Sequence, residues 1–171
     1  LVDSIIVDFF RCRSDEEHQY DYALHVDGQR AMCTAALSDP EIGPLSEAYG
    51  YRHIIDLRRS QLDGDSVNLA YNDRADGPQV HLSLLPSFGE AELILGNGME
   101  GLEGERAEVI IIRKTAADVD FVSVIDPAPA GERLPAQLID NLPAGVLGVE
   151  IARPDGSKDT VLSADSTKTF T

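Results

Sequence analysis

Four consecutive β-branched residues, Val109-Ile110-Ile111-Ile112, constrain this chain more than any other stretch. A strand sends successive side chains to opposite faces, so an unbroken apolar run needs cover on both sides. β-branched residues also fit an extended, packed backbone better than a helix. Residues 107–114 are therefore expected to form a central strand, and a strand covered twice requires at least two layers.

Shorter pieces of the same kind fill the rest of the sequence. An apolar run at Ile5-Ile6-Val7-Asp8-Phe9-Phe10 passes the charged turn Arg13-Ser14-Asp15-Glu16-Glu17 and returns through His18 to His25. On the return, Tyr20, Tyr22, Leu24 and Val26 share one face, and Gln19, Asp21, Ala23 and His25 the other. The pair reads as an antiparallel hairpin. Further strands are expected at 30–37, 52–62, 66–71, 80–86, 91–95, 120–126, 134–142, 145–152 and 160–163. Turn signals separate them: Asp39-Pro40, Gly43-Pro44, Gly64-Asp65, Gly96-Asn97-Gly98 as a chain break, and Asp155-Gly156 as a hairpin turn. About eleven or twelve short strands at this spacing predict a single all-β domain over 1–171, an antiparallel β-sandwich with little or no helix. The best helical candidates are brief, at 44–48 and 100–105, and the tail at 166–171 is expected to be loosely held.

Composition narrows the partners. Thirty acidic residues stand against fourteen basic ones, a net charge of -16. Such a surface repels nucleic acid and acidic membranes. It also repels an anionic polysaccharide unless a local basic patch supplies the contact. No apolar run approaches the roughly 20 residues of a membrane helix. The opening Leu1-Val2-Asp3 leads almost directly into a strand, as expected of a segment cut from something longer. Cys12 and Cys33 belong to no CxxC pattern and read as two free thiols, with a bridge possible only if their strands are neighbours.

The catalytic inventory is thin. The sequence has no GxSxG, no phosphate-binding glycine loop, no HExxH and no EF-hand loop. His18, His25, His53 and His81 are not spaced as a metal motif, and no metal site is expected. His25 and Tyr22 are the most site-like pair, yet they fall on opposite faces of one strand and cannot share a pocket. Arg52, Arg58 and Arg59 form the one basic cluster. It serves either as a carboxylate grip or as the partner of nearby acids such as Asp56 and Asp63. Tyr49 and Tyr51 flank Gly50, placed either to stack on sugars or to anchor their loop.

Three stretches together resemble the C-terminal β-sandwich of the heparinase II/III-like polysaccharide lyases, which include the oligoalginate lyases. They are residues 5–28, with His18-Gln19-Tyr20-Asp21-Tyr22-Ala23-Leu24-His25; residues 49–59, where an aromatic segment runs into a basic strand; and Phe121-Val122-Ser123-Val124-Ile125-Asp126-Pro127. The resemblance implies a supersandwich-like domain behind an N-terminal (α/α) toroid. The whole enzyme would cleave uronate-containing polysaccharide by β-elimination, in the periplasm or outside the cell. It also implies that the catalytic groups and a structural zinc lie upstream, so no catalytic or metal residue carries over and no cofactor is expected in this segment. Tyr49, Tyr51, Arg52 and Arg58 remain as candidate substrate contacts. The expected partners are the toroid, an acidic polysaccharide or oligosaccharide, and a second copy in a homodimer. A free-standing carbohydrate-binding or adhesion module is the rival reading.

Overall fold

The computed structural model describes residues 5–72, 79–100, 106–127 and 133–165. These form twelve strands, and the helical elements among them are two three-residue 3-10 turns, Tyr51–His53 and Pro86–Phe88. The strands are β1 (Ile6–Cys12), β2 (His18–Val26), β3 (Gln29–Cys33), β4 (Ile55–Asp63), β5 (Val67–Asn72), β6 (Gln79–Leu85), β7 (Glu90–Glu100), β8 (Arg106–Ala116), β9 (Val119–Asp126), β10 (Ala136–Leu138), β11 (Val146–Ala152) and β12 (Lys158–Ala164). All pairings are antiparallel. The sheets run β1-β9-β6-β5-β3, β2-β8-β7-β4 and β10-β11-β12.

The three sheets stack in layers, with the five-stranded sheet in the middle. Its inner face sends Leu69, Tyr71, Leu82, Leu84 and Phe121 against Tyr22, Leu93, Leu95, Ile110 and Ile112 of the four-stranded sheet. The opposite face sends Leu85, Val122 and Val124 against Val149 and Ile151 of the third sheet. The run 109–112 behaves as its composition requires: Ile110 and Ile112 face the middle sheet, while Val109 and Ile111 pack outward with Leu45, Leu57 and Ile94. Each such side chain, fully buried, contributes about 1.5–3 kcal/mol.

Two hydrogen-bonded clusters pin the sandwich register. Tyr22 Oη donates to Asp8 Oδ2 (2.7 Å) and shares a 2.8 Å bond with Ser123 Oγ, joining β2 to β1 and β9. Tyr71 donates to Glu108, which also pairs with Arg30 Nε at 2.8 Å, joining β5 and β3 to β8. Burial first, then the Glu108 carboxylate, pushes the Tyr71 hydroxyl far above its ordinary pKa, so it remains a donor.

Several expectations need correction. β1 and β2 are not a hairpin: β1 pairs with β9 and β2 with β8, so the chain arches from one sheet to the other. Both faces of a β1–β2 hairpin could not have been covered, whereas the arch lets each strand bury one face. β1 is the terminal strand of the middle sheet among the described residues. Residues 44–48 are irregular rather than helical, and the expected strand at 134–142 shrinks to Ala136–Leu138. Of the helical candidate at 100–105, Glu100 ends β7 and residues 101–105 lie outside the described ones, as does the tail at 166–171.

Gly96-Asn97-Gly98 does not break the chain. β7 continues through it, with its register shifting beyond Asn97. The glycines answer to packing: a Cβ at Gly96 would lie 2.7 Å from Ile54 Cγ2, and one at Gly98 2.5 Å from Val109 Cγ2. Val109 is buried and, being β-branched, has little rotamer freedom with which to give way. Gly98→Ala should therefore destabilise the fold by about 1–3 kcal/mol through overpacking. Urea unfolding with an unchanged m-value checks this, and a stability equal to wild type would refute it.

Candidate binding groove

Outside the four-stranded sheet, a cleft of about 270 Å³ opens between the sheet and the segment 49–54. Ala23 of β2 and Val109 and Ile111 of β8 give it an apolar floor, His25 stands at one side, and Tyr49, Tyr51 and His53 form the wall. The wall is short-range structure. Gly50 takes φ 93°, which lets the chain turn into Tyr51–His53, closed by His53 N–H to Gly50 O at 3.2 Å.

Tyr51 is held from behind. Arg113 grips Asp21 with Nε and Nη2 at 2.8 and 2.7 Å, and Tyr51 Oη donates to Asp21 Oδ2 at 2.5 Å. The Arg113 guanidinium carbon lies 5.8 Å from the Tyr51 ring centroid. Burial works to raise the Asp21 pKa. The hydrogen bonds from Arg113 and Tyr51 outweigh it and hold the carboxyl below its ordinary value. Arg106 Nη1 donates to the carbonyls of His53 (3.2 Å) and Gly98 (3.1 Å), tying the wall to the end of β7.

Tyr49, by contrast, is 89% exposed, with the Arg52 guanidinium carbon 5.3 Å from its ring centroid. Arg52 Nε donates to His53 Nε2 at 3.1 Å. The rim thus combines an exposed aromatic face, a cation stacked on it and an imidazole. Chemically it can hold a flat, partly apolar ring that carries hydroxyls or a carboxylate.

The fold therefore brings His25, Tyr49 and Tyr51 together, with Arg52 at their edge. Tyr22 is not among them. It lies in the main core on the other face of β2, with its ring stacked 5.3 Å from Phe121. Arg58 is also elsewhere, donating to Ser38 O at 3.3 Å. The basic cluster is divided: Arg59 pairs with Glu41 (3.1 Å) and Glu92 (2.9 Å), not with the expected Asp56 or Asp63. Partners across strands depend on register, which neighbours in sequence do not reveal. The sequence does not single out His53 for the site, because its place in the wall comes from the 3-10 turn. Its position beside Tyr49-Gly50-Tyr51 is the one local signal the sequence carries.

A larger cleft of about 330 Å³ holds Arg11, Arg13, Asp118 and Asp120, but its arginines are engaged within the protein. Arg13 pairs with Asp120 at 2.6 Å, and Arg11 Nη2 donates to Ser163 O at 2.7 Å. Among the described residues, no three of His, Cys, Asp and Glu come together to hold a metal. Cys12 and Cys33 are free and lie on β1 and β3, opposite edges of the middle sheet. Four strand spacings of about 4.8 Å separate them, far beyond bridging distance.

The sequence matches no protein-family model and no curated relative.

Asp21→Asn should remove the charge-assisted grip on Arg113 and cost about 1–3 kcal/mol. Because the folded Asp21 pKa lies below its unfolded value, its contribution is fully present above the unfolded value of about 3.9 and is lost as pH falls through the folded one. Unfolding at neutral and acid pH should show the mutational difference shrinking in that window. A difference that is constant with pH would contradict the assignment.

Proposed function

We propose that this chain is a non-catalytic β-sandwich module that binds an oligosaccharide in the groove beneath Tyr49, Tyr51 and Arg52. It would belong to a larger polysaccharide lyase of the heparinase II/III-like kind, in the periplasm or outside the cell. The observation that carries the reading is convergence. Two of the stretches that resemble that family, residues 18–25 and 49–59, are distant in sequence. They meet at one groove through His25, Tyr49 and Tyr51. The apolar floor suits the C–H face of a sugar ring, and Arg52 stands where a uronate carboxylate would reach a cation.

Calorimetric titration with oligoalginate, heparan sulfate and hyaluronan fragments, and with neutral oligosaccharides of the same length, tests this. Binding should weaken about tenfold, or ~1.4 kcal/mol, in Tyr49→Ala. In Arg52→Gln the loss should fall mainly on the uronates. Equal affinity of wild type and Tyr49→Ala would end the groove assignment. Incubation with the same polysaccharides should yield no unsaturated uronate by absorbance, and sustained turnover would overturn the non-catalytic reading. An upstream helical toroid in the parent reading frame would favour the lyase over a free-standing binding or adhesion module.

Among the described residues no strand pairs with the outer edge of β1, which suits the same reading. Ile6 is 57% and Phe10 48% exposed there. A toroid packed on this edge, or a second copy paired with it, would cover them. A homodimer must overcome the charge of -16, so it should strengthen as salt screens the repulsion. Sedimentation across a salt series reads this directly, and a monomer throughout would leave the toroid as the expected cover.

A further inference from the structure

Behind the middle sheet, on the face away from the groove, lies a buried polar site that the binding reading does not use. We propose that His81 is the sensor of an acid-released latch holding the third sheet against the sandwich.

His81 of β6 is 5% exposed and stands directly across from Asp126 of β9, itself buried. Neither ring nitrogen of His81 has a hydrogen-bond partner among the described residues. A buried polar group without a partner is uncommon and costly, and a charged one far more so. The chain enters the third sheet beside this ring. Leu134 N–H donates to Asp126 Oδ2 at 3.1 Å. Arg133 Nη1 donates to Asn68 Oδ1 at 2.6 Å and approaches Ser83 Oγ at 3.4 Å. These contacts pin residues 133–134 to the middle sheet just before β10.

The charged groups facing His81 among the described residues are Asp126, from β9, and Arg133, from the segment leading into β10. β5 offers only uncharged Ala70, its cross-strand neighbour, and Asn68. Burial lowers the imidazole pKa, Asp126 opposes this, and Arg133 lowers it further, so the net displacement is downward. The closed site therefore prefers a neutral ring. Its stability is fully present above the ordinary imidazole value of about 6.5 and is lost as pH falls from there through the lower folded value.

Protonation makes both ring nitrogens donors. The imidazolium competes with Leu134 N–H for Asp126 and repels Arg133, undoing both pins. His81 alternates along β6 with Leu82 and Leu84, which face the main core between the middle and four-stranded sheets, so the ring lies on the opposite face from that core. Release is therefore local: β10–β12 loosen while β7 and β8 stay closed.

Amide hydrogen exchange at about pH 7.5 and about pH 5.5, corrected for intrinsic rates, tests the latch across the imidazole range. Wild type should lose protection in β10–β12 at the lower pH and keep it in β7 and β8. His81→Gln, which stays uncharged, should show the same protection at both. Should that variant fail to fold, the wild-type His81 ring signal followed by NMR must titrate together with the loss in β10–β12. Protection retained everywhere, loss spread evenly over all strands, a loss in β10–β12 at the lower pH that persists in His81→Gln, or a ring that titrates while β10–β12 stay closed would each overturn the proposal.

Discussion

The need to bury β7 and β8 on both faces governs the architecture. Leu93, Ile94 and Leu95 lie across from Ile112, Ile111 and Ile110, and all six are almost inaccessible to solvent. The middle sheet covers one face in full. On the other, no sheet is present among the described residues, and the segment from Leu45 to Ile54 provides the cover. A loop covers less than a sheet does. Where it stops, Ala23, Val109 and Ile111 become the floor of a groove. The groove is thus a consequence of how the central strands are buried, and its apolar floor follows from the same run of residues.

Covering both faces of β8 does not by itself fix its register, because a run of similar apolar residues can slide. The polar clusters supply that selection. Glu108, at the start of β8, must meet Tyr71 and Arg30 from the middle sheet, and Asp21 on β2 must meet Arg113 near the other end of β8. A slip by one residue would leave carboxylates buried without partners, a cost of several kcal/mol. These contacts also separate the two faces of the sheet. Glu108 works inside the sandwich, while Asp21 works outside, where it braces Tyr51.

How much of this the sequence reveals depends on the range of each interaction. The all-β class, the number of strands, the buried run 109–112 and the Asp155-Gly156 hairpin are local, and all are legible. The arch between β1 and β2 is not, because an apolar strand followed by a turn and a half-polar strand fits a hairpin equally well. What decides is whether β9 or β2 offers Ile5, Val7 and Phe9 a better-covered face, and β9 lies more than a hundred residues away. The glycines at 96 and 98 mislead for a related reason. Glycine in a strand marks either a break or a close approach, and the approaching groups, Ile54 and Val109, come from elsewhere in the chain. At the groove, Tyr49, Tyr51 and His25 are legible as candidates. Their meeting, the bracing ion pair and the removal of Arg58 from the site depend on pairing register.

The charge of -16 looks at first like an argument against any acidic ligand. It is an argument about long range only. At physiological salt a charge is screened beyond about 8 Å, so a ligand in the groove responds to what lies beside it. There, Arg113 balances Asp21, and Arg59 is shared between Glu41 and Glu92. Arg52 makes its contacts with a tyrosine and a histidine ring, and Arg106 with backbone carbonyls. Among the described residues neither Arg52 nor Arg106 is drawn into an ion pair, although the chain as a whole is acidic. An acidic chain in bulk should slow the approach of an acidic ligand at low salt, while short-range contacts would act only on a ligand already seated. Screening would weaken the repulsion at a distance more than it would weaken a carboxylate hydrogen-bonded to Arg52, so association of the proposed uronate ligand should become faster, not slower, as salt rises.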